Sequence, residues 1–235
     1  MIDVVNLGLT RYEDAWRLQR RLFDLRSKGL INDVLLLNEH RHVYTLGRSA
    51  DPNHLLANEP ELRTLGIDVC SIERGGDVTY HGPGQIVGYP ILDLNAYQPD
   101  IHRYLRNLEE LIIRALAVFG IAGRRDDDFT GVWAGRDKIA AIGVRVSRWI
   151  TMHGFALNVN TDLDYFQRII PCGIFHRGVT SMRVQLGREV AMESVCRELV
   201  TQVGAVFGTD TVLREAKEYT DSLPHASQEK AECPP

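Results

Sequence analysis

The sequence predicts an α/β or α+β domain. Short runs of β-branched and apolar residues recur along the chain, and three stretches with apolar residues at helical spacing lie among them. These elements do not alternate strictly, which favours a layered fold over a regular βαβ array. No repeat or linker divides residues 1–214, so we expect one domain there, followed by a polar, mobile tail over residues 215–235.

The composition is that of an ordinary globular protein, with 44% hydrophobic and 25% charged residues. A formal net charge of −4 argues against nucleic-acid binding. The sequence has no signal-peptide pattern and no apolar window as long as a membrane span, so we expect a cytoplasmic protein without membrane contact. The four cysteines form no Cys-x-x-Cys pair, which argues against a disulfide framework or a zinc ribbon.

The first elements are predicted to be a helix and two strands. Thr10-Arg11-Tyr12-Glu13 has the spacing of a capping box, and apolar residues then recur at helical intervals until Gly29. Residues 34–37 and 43–46 are apolar or β-branched and predict two strands joined near His40-Arg41-His42. These histidines are candidates to flank a site.

The remaining elements follow from similar patterns. The glycine-rich residues 75–84 are expected to be irregular, and residues 85–94 return to a strand pattern. Asp100 can cap a helix that ends at Gly120. Three strands are then predicted, followed by a helix, over residues 131–134, 138–146, 150–159 and 195–207.

Cys172 is the best candidate for a nucleophile. It lies in Ile170-Pro171-Cys172-Gly173, where the proline restrains the backbone before the thiol and the glycine removes bulk after it. A lone cysteine is more often a small buried hydrophobic residue. Cys70 and Cys196 fit that description, since they lie in a strand pattern and a helix pattern, and Cys233 lies in the tail.

Lys138 is the candidate partner of that thiol, at the start of a predicted strand. An unassisted thiol, with a pKa of ~8.5, is only a few per cent ionised at neutral pH, and a neighbouring ammonium favours the thiolate. Taken alone, Lys138 is more typical of a solvated turn residue than of a catalytic one. The two residues are 34 positions apart, so the sequence does not establish that they meet.

Residues 74–85, Arg-Gly-Gly-Asp-Val-Thr-Tyr-His-Gly-Pro-Gly-Gln, combine a glycine-rich backbone with several functional side chains. They lack the pattern of a phosphate-binding loop, so we interpret them as the wall of a site for a substrate other than a nucleotide. His81 there can be a general base, a metal ligand or an orienting donor, and no metal ion is expected. Gly154, after His153, suits either contact with a ligand or a β-bulge.

Four segments resemble, in order, the octanoyltransferases of lipoate biosynthesis. They are residues 74–85, 138–143, 153–158 and 170–173, and the resemblance extends over residues 35–181. It implies the fold of the catalytic domain of biotin and lipoate protein ligases, with a mixed sheet flanked by helices. It also implies an enzyme without a cofactor that transfers octanoyl from octanoyl-acyl carrier protein to a lysine ε-amino group. The implied acceptors are the lipoyl domains of 2-oxoacid dehydrogenase complexes and the glycine cleavage H protein.

By the same resemblance, Cys172 carries the acyl thioester, and Lys138 lowers the pKa of Cys172 or shuttles protons. The residues implied to line the acyl site are Arg74, Gly75, Gly76, Asp77, Val78, Thr79, Tyr80, His81, Ala141, Ile142, Gly143, Gly154, Phe155 and Ala156. Asp77 departs from the family pattern, in which Gln or Lys is frequent. Arg41-His42 also departs, since prolines are common after the histidine. Substrate contacts near these positions therefore stay open.

Two other classes of protein compete with this interpretation. An ATP-dependent lipoate or biotin protein ligase shares the implied fold, but it does not need Cys172 and should retain a nucleotide-binding loop. A catalytically silent module that binds acyl groups or lipoyl domains would make the thiol incidental, and the presence of both Cys172 and Lys138 disfavours it. The sequence indicates neither the acyl chain length, nor the oligomeric state, nor the particular client domains.

Overall fold

Two sheets form the framework of the computed structural model, which describes residues 1–170 and 177–224. The strands of the larger sheet are β1 (Ile2–Thr10), β2 (Asp33–His40), β6 (Gln85–Ile91), β7 (Gly123–Arg124), β8 (Val132–Ala134), β9 (Asp137–Ser147), β10 (Ile150–Asn158) and β11 (Thr211–Arg214). The strands of the smaller sheet are β3 (Val43–Leu46), β4 (Asp68–Ser71) and β5 (Val78–His81). The order in the larger sheet is β11-β1-β2-β6-β10-β9-β8-β7, and in the smaller sheet it is β4-β3-β5.

The larger sheet is mixed. Strand β1 runs parallel to both of its neighbours, β2 and β11. Every other neighbouring pair in the sheet order, from β2–β6 through to β8–β7, is antiparallel. The helices are α1 (Tyr12–Ser27), α2 (Glu59–Leu65), α3 (Ile101–Val118), α4 (Met182–Leu186), α5 (Met192–Phe207) and α6 (Ala216–Ser222). The predicted fold class, a mixed sheet flanked by helices, is confirmed.

Both faces of the larger sheet are covered because successive strand residues point to opposite sides. On one face, Ile86 and Leu157 pack with apolar residues of α3 and α5. On the other face, Val87 and Ala156 pack with α1, where Trp16 and other apolar residues are buried. Double coverage explains why residues 34–37 of β2 are continuously apolar instead of alternating.

The structure corrects the predicted start of α1. Its N-cap is Arg11, and no side chain caps it, so the capping box beginning at Thr10 does not form. Thr10 ends β1 instead, where its hydroxyl accepts a hydrogen bond from Asn38 Nδ2 at 3.1 Å. Thr10 therefore belongs to a strand, and its side chain bonds to the neighbouring strand instead of capping the helix.

Strands β1, β5 and β11 were not predicted. Residues 75–84 were expected to be irregular, but Val78–His81 forms a strand paired with β3. Strand β11 follows α5 and pairs with β1, and Ile2 is aligned with Thr211. These strands depend on partners far along the chain, which a local pattern does not show. The other predicted strands and helices are present with small shifts of their ends.

Part of the predicted tail is ordered structure. Residues 216–222 form α6, and Leu223 is 5% exposed among the residues that pack around α1. Arg21 Nη2 donates to the Leu223 carbonyl at 3.0 Å. The boundary placed after residue 214 therefore falls before this helix, and residues 225–235 lie outside the described part of the chain. No described helix is both long and apolar enough to cross a membrane.

Replacement of Leu223 by alanine tests the contribution of this terminal contact. Leu223→Ala should lower the free energy of unfolding by about 2–3 kcal/mol, because it removes a buried side chain and leaves a cavity. Leu213→Ala is the matched control, since Leu213 is 70% exposed and should change stability by less than about 0.5 kcal/mol. Urea denaturation measures both variants, and equal effects would show that the end of the chain does not stabilise the domain.

Candidate active site

A cavity lies on the α1 side of the larger sheet, between β6, β9, β10 and residues 74–76. Eleven of the predicted site residues line it: Arg74, Gly75, Gly76, Thr79, His81, Ala141, Ile142, Gly143, Gly154, Phe155 and Ala156. They come from three separate segments of the sequence. The sheet therefore brings the three predicted binding segments to one place.

The walls of the cavity approach each other so closely that only glycine fits at two positions. Gly143 and Gly154 are paired across β9 and β10. A Cβ atom on Gly143 would lie 2.9 Å from the Gly75 carbonyl oxygen, and one on Gly154 would lie 2.2 Å from the Gly88 carbonyl oxygen. Gly75 N also donates to the Val144 carbonyl at 3.0 Å. Gly143 thus lets the backbone of residues 74–76 lie directly on β9, and Gly154 lets β10 lie close to the backbone of β6.

Arg74 links this segment to the smaller sheet. Its side chain is buried, and Nη2 donates to the Thr45 carbonyl at 2.8 Å and to the Thr45 hydroxyl at 3.0 Å. Nη1 donates to the Gly75 carbonyl at 3.1 Å. The guanidinium group thus holds the cavity wall and places a positive charge beside the cavity.

Two histidines that line the cavity are held neutral. Burial lowers the pKa of His81 to about 4, and the Arg74 charge acts in the same direction. Burial lowers the pKa of His153 to about 3, with further contributions from Arg74, Arg145 and His81. Neutral His81 donates from Nδ1 to Gln85 Oε1 at 2.7 Å. Both histidines are therefore poor candidates for a group that gives up a proton near pH 7.

His153 has an unusual backbone conformation. Its φ is +60°, in the left-handed region that few residues other than glycine adopt. The side chain is buried, and neither ring nitrogen has a hydrogen-bond partner among residues 1–170 and 177–224. Strain and unpartnered polar atoms of this kind are concentrated at functional sites.

Lys138 lies in β9, three residues before the cavity-lining Ala141. Its Nζ donates to the Thr130 carbonyl at 3.3 Å and lies 5.0 Å from the centre of the Trp133 ring. The Lys138 backbone pairs with the segment that follows Cys172: Lys138 N donates to the Gly178 carbonyl at 3.0 Å, and Thr180 N donates to the Lys138 carbonyl at 2.9 Å. The lysine is thus at one end of the strand that forms the cavity wall.

Cys172 is outside the described residues, which stop at Ile170 and resume at Arg177. The chain before it is held by Ile170 N, which donates to the His54 carbonyl at 2.8 Å. The chain after it reaches Lys138 through Gly178. The two described ends adjoining Cys172 are therefore fixed, and one of them is bonded to the predicted partner lysine.

Three of the predicted substrate-binding residues, Asp77, Val78 and Tyr80, do not line the cavity. Thr79 and His81 face it, so the alternation of β5 turns Val78 and Tyr80 to the opposite side. There Tyr80 packs with Tyr44 and Phe166, and its hydroxyl pairs with His42 Nδ1. The Asp77 carboxylate accepts hydrogen bonds from Val78 N at 2.7 Å and Asp51 N at 3.2 Å, and it is paired with His54.

The structure adds four residues to the lining: Tyr12, Val87, Tyr89 and His153. The alternation of β6 places Val87 and Tyr89 on the same face. The Tyr89 hydroxyl is 2.6 Å from His40 Nε2, a polar pair inside an otherwise apolar region. A tyrosine within an apolar strand was a usable signal in the sequence. Nothing in the local pattern around Tyr12 pointed to the cavity.

Comparison with known proteins identifies the family. Residues 11–204 match the family model described as the lipoyl protein ligase A/B catalytic domain. The octanoyltransferase of Rubrobacter xylanophilus is 55% identical over 210 residues, which cover 88% of this chain and 94% of that protein. The octanoyltransferase of Koribacter versatilis is 45% identical over 239 residues, covering 100% of this chain and 94% of that protein. The chain belongs to the octanoyltransferase family.

Solved structures extend the likeness of this octanoyltransferase-family chain to ligases. A lipoate-protein ligase A bound with ATP has a TM-score of 0.75 at 18% identity, with 94% of this chain and 95% of that chain covered. The bipartite lipoate protein ligase of Thermoplasma acidophilum has a TM-score of 0.73 at 16% identity, with coverage of 94% and 93%. At these identities the comparison establishes a shared fold. The implied likeness to lipoate protein ligases is thus confirmed at the level of the fold.

The buried histidines predict that the protein loses stability in mild acid. In the unfolded chain their pKa returns to about 6.5, so the unfolded state binds protons first as the pH falls from about 6.5 towards about 4. Each histidine should lower the free energy of unfolding by ~1.4 kcal/mol per pH unit within that window. Urea denaturation at a series of pH values measures the slope.

His81→Gln should reduce the dependence of the unfolding free energy on pH by the contribution of one histidine. The glutamine amide can donate to Gln85 Oε1 in place of His81 Nδ1, so the hydrogen bond is kept while the titrating group is removed. His102→Gln on the exposed side of α3 is the matched control and should leave the slope unchanged. A wild-type stability that stays constant across this pH range would contradict the account.

Proposed function

We propose that the protein transfers an octanoyl group from octanoyl-acyl carrier protein to a lysine of a lipoyl domain, through a thioester on Cys172. The observation that carries the proposal is the cavity that residues 74–76, 141–143 and 154–156 line together, because β9, which supplies residues 141–143, also carries Lys138. The 45% to 55% identity to octanoyltransferases over most of the chain supports the choice of acyl group.

In the first step, the Cys172 thiolate attacks the carbonyl carbon of the donor thioester. A new C–S bond forms, the donor C–S bond breaks, and the released carrier thiolate takes the proton of the Lys138 ammonium, which leaves Lys138 neutral for the second step. One thioester replaces another, so the step is nearly balanced in free energy and needs no ATP. The Lys138 ammonium favours the attacking thiolate electrostatically, which addresses the low ionised fraction of an ordinary thiol at neutral pH.

In the second step, the neutral ε-amine of the acceptor lysine attacks the Cys172 thioester. A C–N bond forms, the C–S bond breaks, and the amine nitrogen loses a proton. Lys138 in its neutral form receives that proton and returns it to the Cys172 thiolate or to solvent, as general acid–base catalysis requires. Formation of an amide from a thioester is downhill, so the second step drives the overall reaction.

The cavity is the proposed site of the acyl chain. Along the sheet surface, Ala141, Ala156 and Val87 supply apolar contacts. Arg74, Gly75, Gly76, Thr79 and His81 form the opposite wall. Asp77, Val78 and Tyr80 act from behind that wall. They support it through the contacts with His54, Phe166 and His42 described above.

The proposed acceptors are lipoyl domains of 2-oxoacid dehydrogenase complexes and the glycine cleavage H protein. Residues 1–214 together with α6 form the proposed catalytic domain. The likeness to lipoate protein ligases supports lipoyl-domain acceptors, because one of those structures is described together with its E2 lipoyl domain. The cytoplasm is the proposed location, since the acyl carrier protein and the acceptor domains are reached there.

Intact-protein mass spectrometry with octanoyl-acyl carrier protein tests the proposal. The wild-type chain should gain one octanoyl group that hydroxylamine removes, and Cys172→Ser should gain none. Cys196→Ser is the matched control and should still be acylated, because burial raises the pKa of the Cys196 thiol to about 11 and so disfavours its thiolate. Lys138→Ala should slow acylation by ~100-fold or more.

The competing ligase mechanism predicts a different pattern. A ligase would form no adduct from octanoyl-acyl carrier protein and would use free octanoate only when ATP is present. That result would overturn the proposed function. An adduct that persists in Cys172→Ser would instead reject Cys172 as the acyl carrier.

A further inference from the structure

Glu109 is a buried carboxylate close to Lys138 that the proposed chemistry does not yet use. It lies on α3 with 1% of its side chain exposed. Two arginines with partly exposed side chains neutralise it, Arg106 at 2.7 Å and Arg125 at 3.3 Å. A buried charge of this kind is costly unless it is paired and hydrogen-bonded. Besides the two arginines, Glu109 has a hydrogen bond to the backbone, and that bond indicates what the carboxylate holds in place.

That remaining bond holds the backbone beside Lys138. Glu109 Oε1 accepts a hydrogen bond from Gly131 N at 3.1 Å. The preceding residue, Thr130, supplies the carbonyl that accepts from Lys138 Nζ. The carboxylate on α3 is therefore connected to the ammonium through two adjacent backbone groups.

Gly131 also sets the path of the Lys138 side chain. Its φ of +133° favours glycine, and a Cβ atom there would lie 2.7 Å from the Ala140 carbonyl oxygen and 3.3 Å from Lys138 Cε. The aliphatic part of Lys138 thus passes over a residue without a side chain. If Gly131 moved, the lysine would lose both this surface and its carbonyl partner.

The pairing of β8 with β9 is irregular next to Gly131, and this irregularity also helps to position the Lys138 side chain. Val132 is aligned with Ala140, but Trp133 is aligned with Lys138, so Ile139 is passed over. A bulge of this kind bends the strand and redirects the neighbouring side chain. Here it aligns Lys138 with Trp133, whose ring centre is 5.0 Å from Nζ. The bulge, Gly131 and Thr130 together define one position for the ammonium.

We propose that Glu109 is a positioning residue for Lys138, which it fixes by holding Gly131 N and hence the Thr130 carbonyl. This inference rests on the proposed function, in which Lys138 activates Cys172 and transfers protons. Glu109 touches no reacting atom. Its effect on the reaction is transmitted only through the place that Lys138 occupies.

Two conservative substitutions separate the hydrogen bond from the charge. Glu109→Asp keeps the charge for both arginines but withdraws the carboxylate by about 1.5 Å, so it no longer reaches Gly131 N. Glu109→Gln loses the charge but keeps an oxygen in place to accept that bond. The proposal predicts that Glu109→Asp slows acylation of Cys172 by octanoyl-acyl carrier protein by about 10- to 100-fold, with KM little changed. Glu109→Gln should stay near the wild-type rate.

The matched control is Glu110→Asp, the same change on the next residue of α3. Glu110 pairs with Arg114 at 2.8 Å and Arg125 at 2.5 Å and has no hydrogen bond to Gly131. It should leave the acylation rate unchanged. Thermal unfolding of all the variants confirms that the folded domain is being compared.

The double variant of Glu109→Asp and Lys138→Ala distinguishes an effect through the position of Lys138 from a general disturbance of the fold. If Glu109 acts through Lys138, Glu109→Asp should cause no further loss in the Lys138→Ala background. An equal loss in both backgrounds, or a wild-type rate for Glu109→Asp, would overturn the inference. A wild-type chain that forms no adduct on Cys172, or a Lys138→Ala variant as fast as wild type, would instead overturn the proposed function itself.

Discussion

The backbone of residues 74–76 is packed between two glycines, and the cavity depends on that contact. On one side, Gly143 of the larger sheet faces the Gly75 carbonyl oxygen. On the other side, a Cβ atom on Gly47 would lie 2.1 Å from the Gly76 carbonyl oxygen. Arg74 then bonds to Thr45 of the smaller sheet. The two sheets thus meet across this segment, which leaves a narrow space beside it, lined by the predicted residues.

The second constraint on the site is that its buried histidines stay neutral. His40, His81 and His153 lie in the interior, and burial is the main cause that lowers the pKa of each. With these rings neutral, Arg74 and Lys138 supply the positive charge near the cavity. This arrangement suits a reaction that needs a thiolate and an uncharged acyl chain, because cations favour the first and neutral walls accept the second.

Much of this site could be predicted because its chemistry is concentrated in short segments. The three binding segments contain glycine, and they meet in one cavity because β9 pairs with β10 and residues 74–76 pack on β9. The direction of each side chain was harder to predict. Asp77 and Tyr80 belong to the same segment as Thr79, yet they face away from the cavity, because Val78–His81 is a strand. That strand exists only through its pairing with β3.

The residues that sequence reasoning missed share a physical cause. Tyr12 reaches the cavity through the packing of α1 on the sheet, and Glu109 reaches Gly131 through the packing of α3 on the opposite face. Such contacts join positions far apart in the chain and leave no local period. Strand β11 was missed for the same reason, since its four residues acquire their role only beside β1.

A crystal structure of the chain after reaction with octanoyl-acyl carrier protein tests the central claim most directly. The account predicts continuous density from Cys172 Sγ to an octanoyl chain that lies along Ala141, Ala156 and Val87, beside residues 74–76. It also predicts that the thioester lies within reach of Lys138 Nζ. An octanoyl group on another residue, or an acyl chain outside this cavity, would contradict the account.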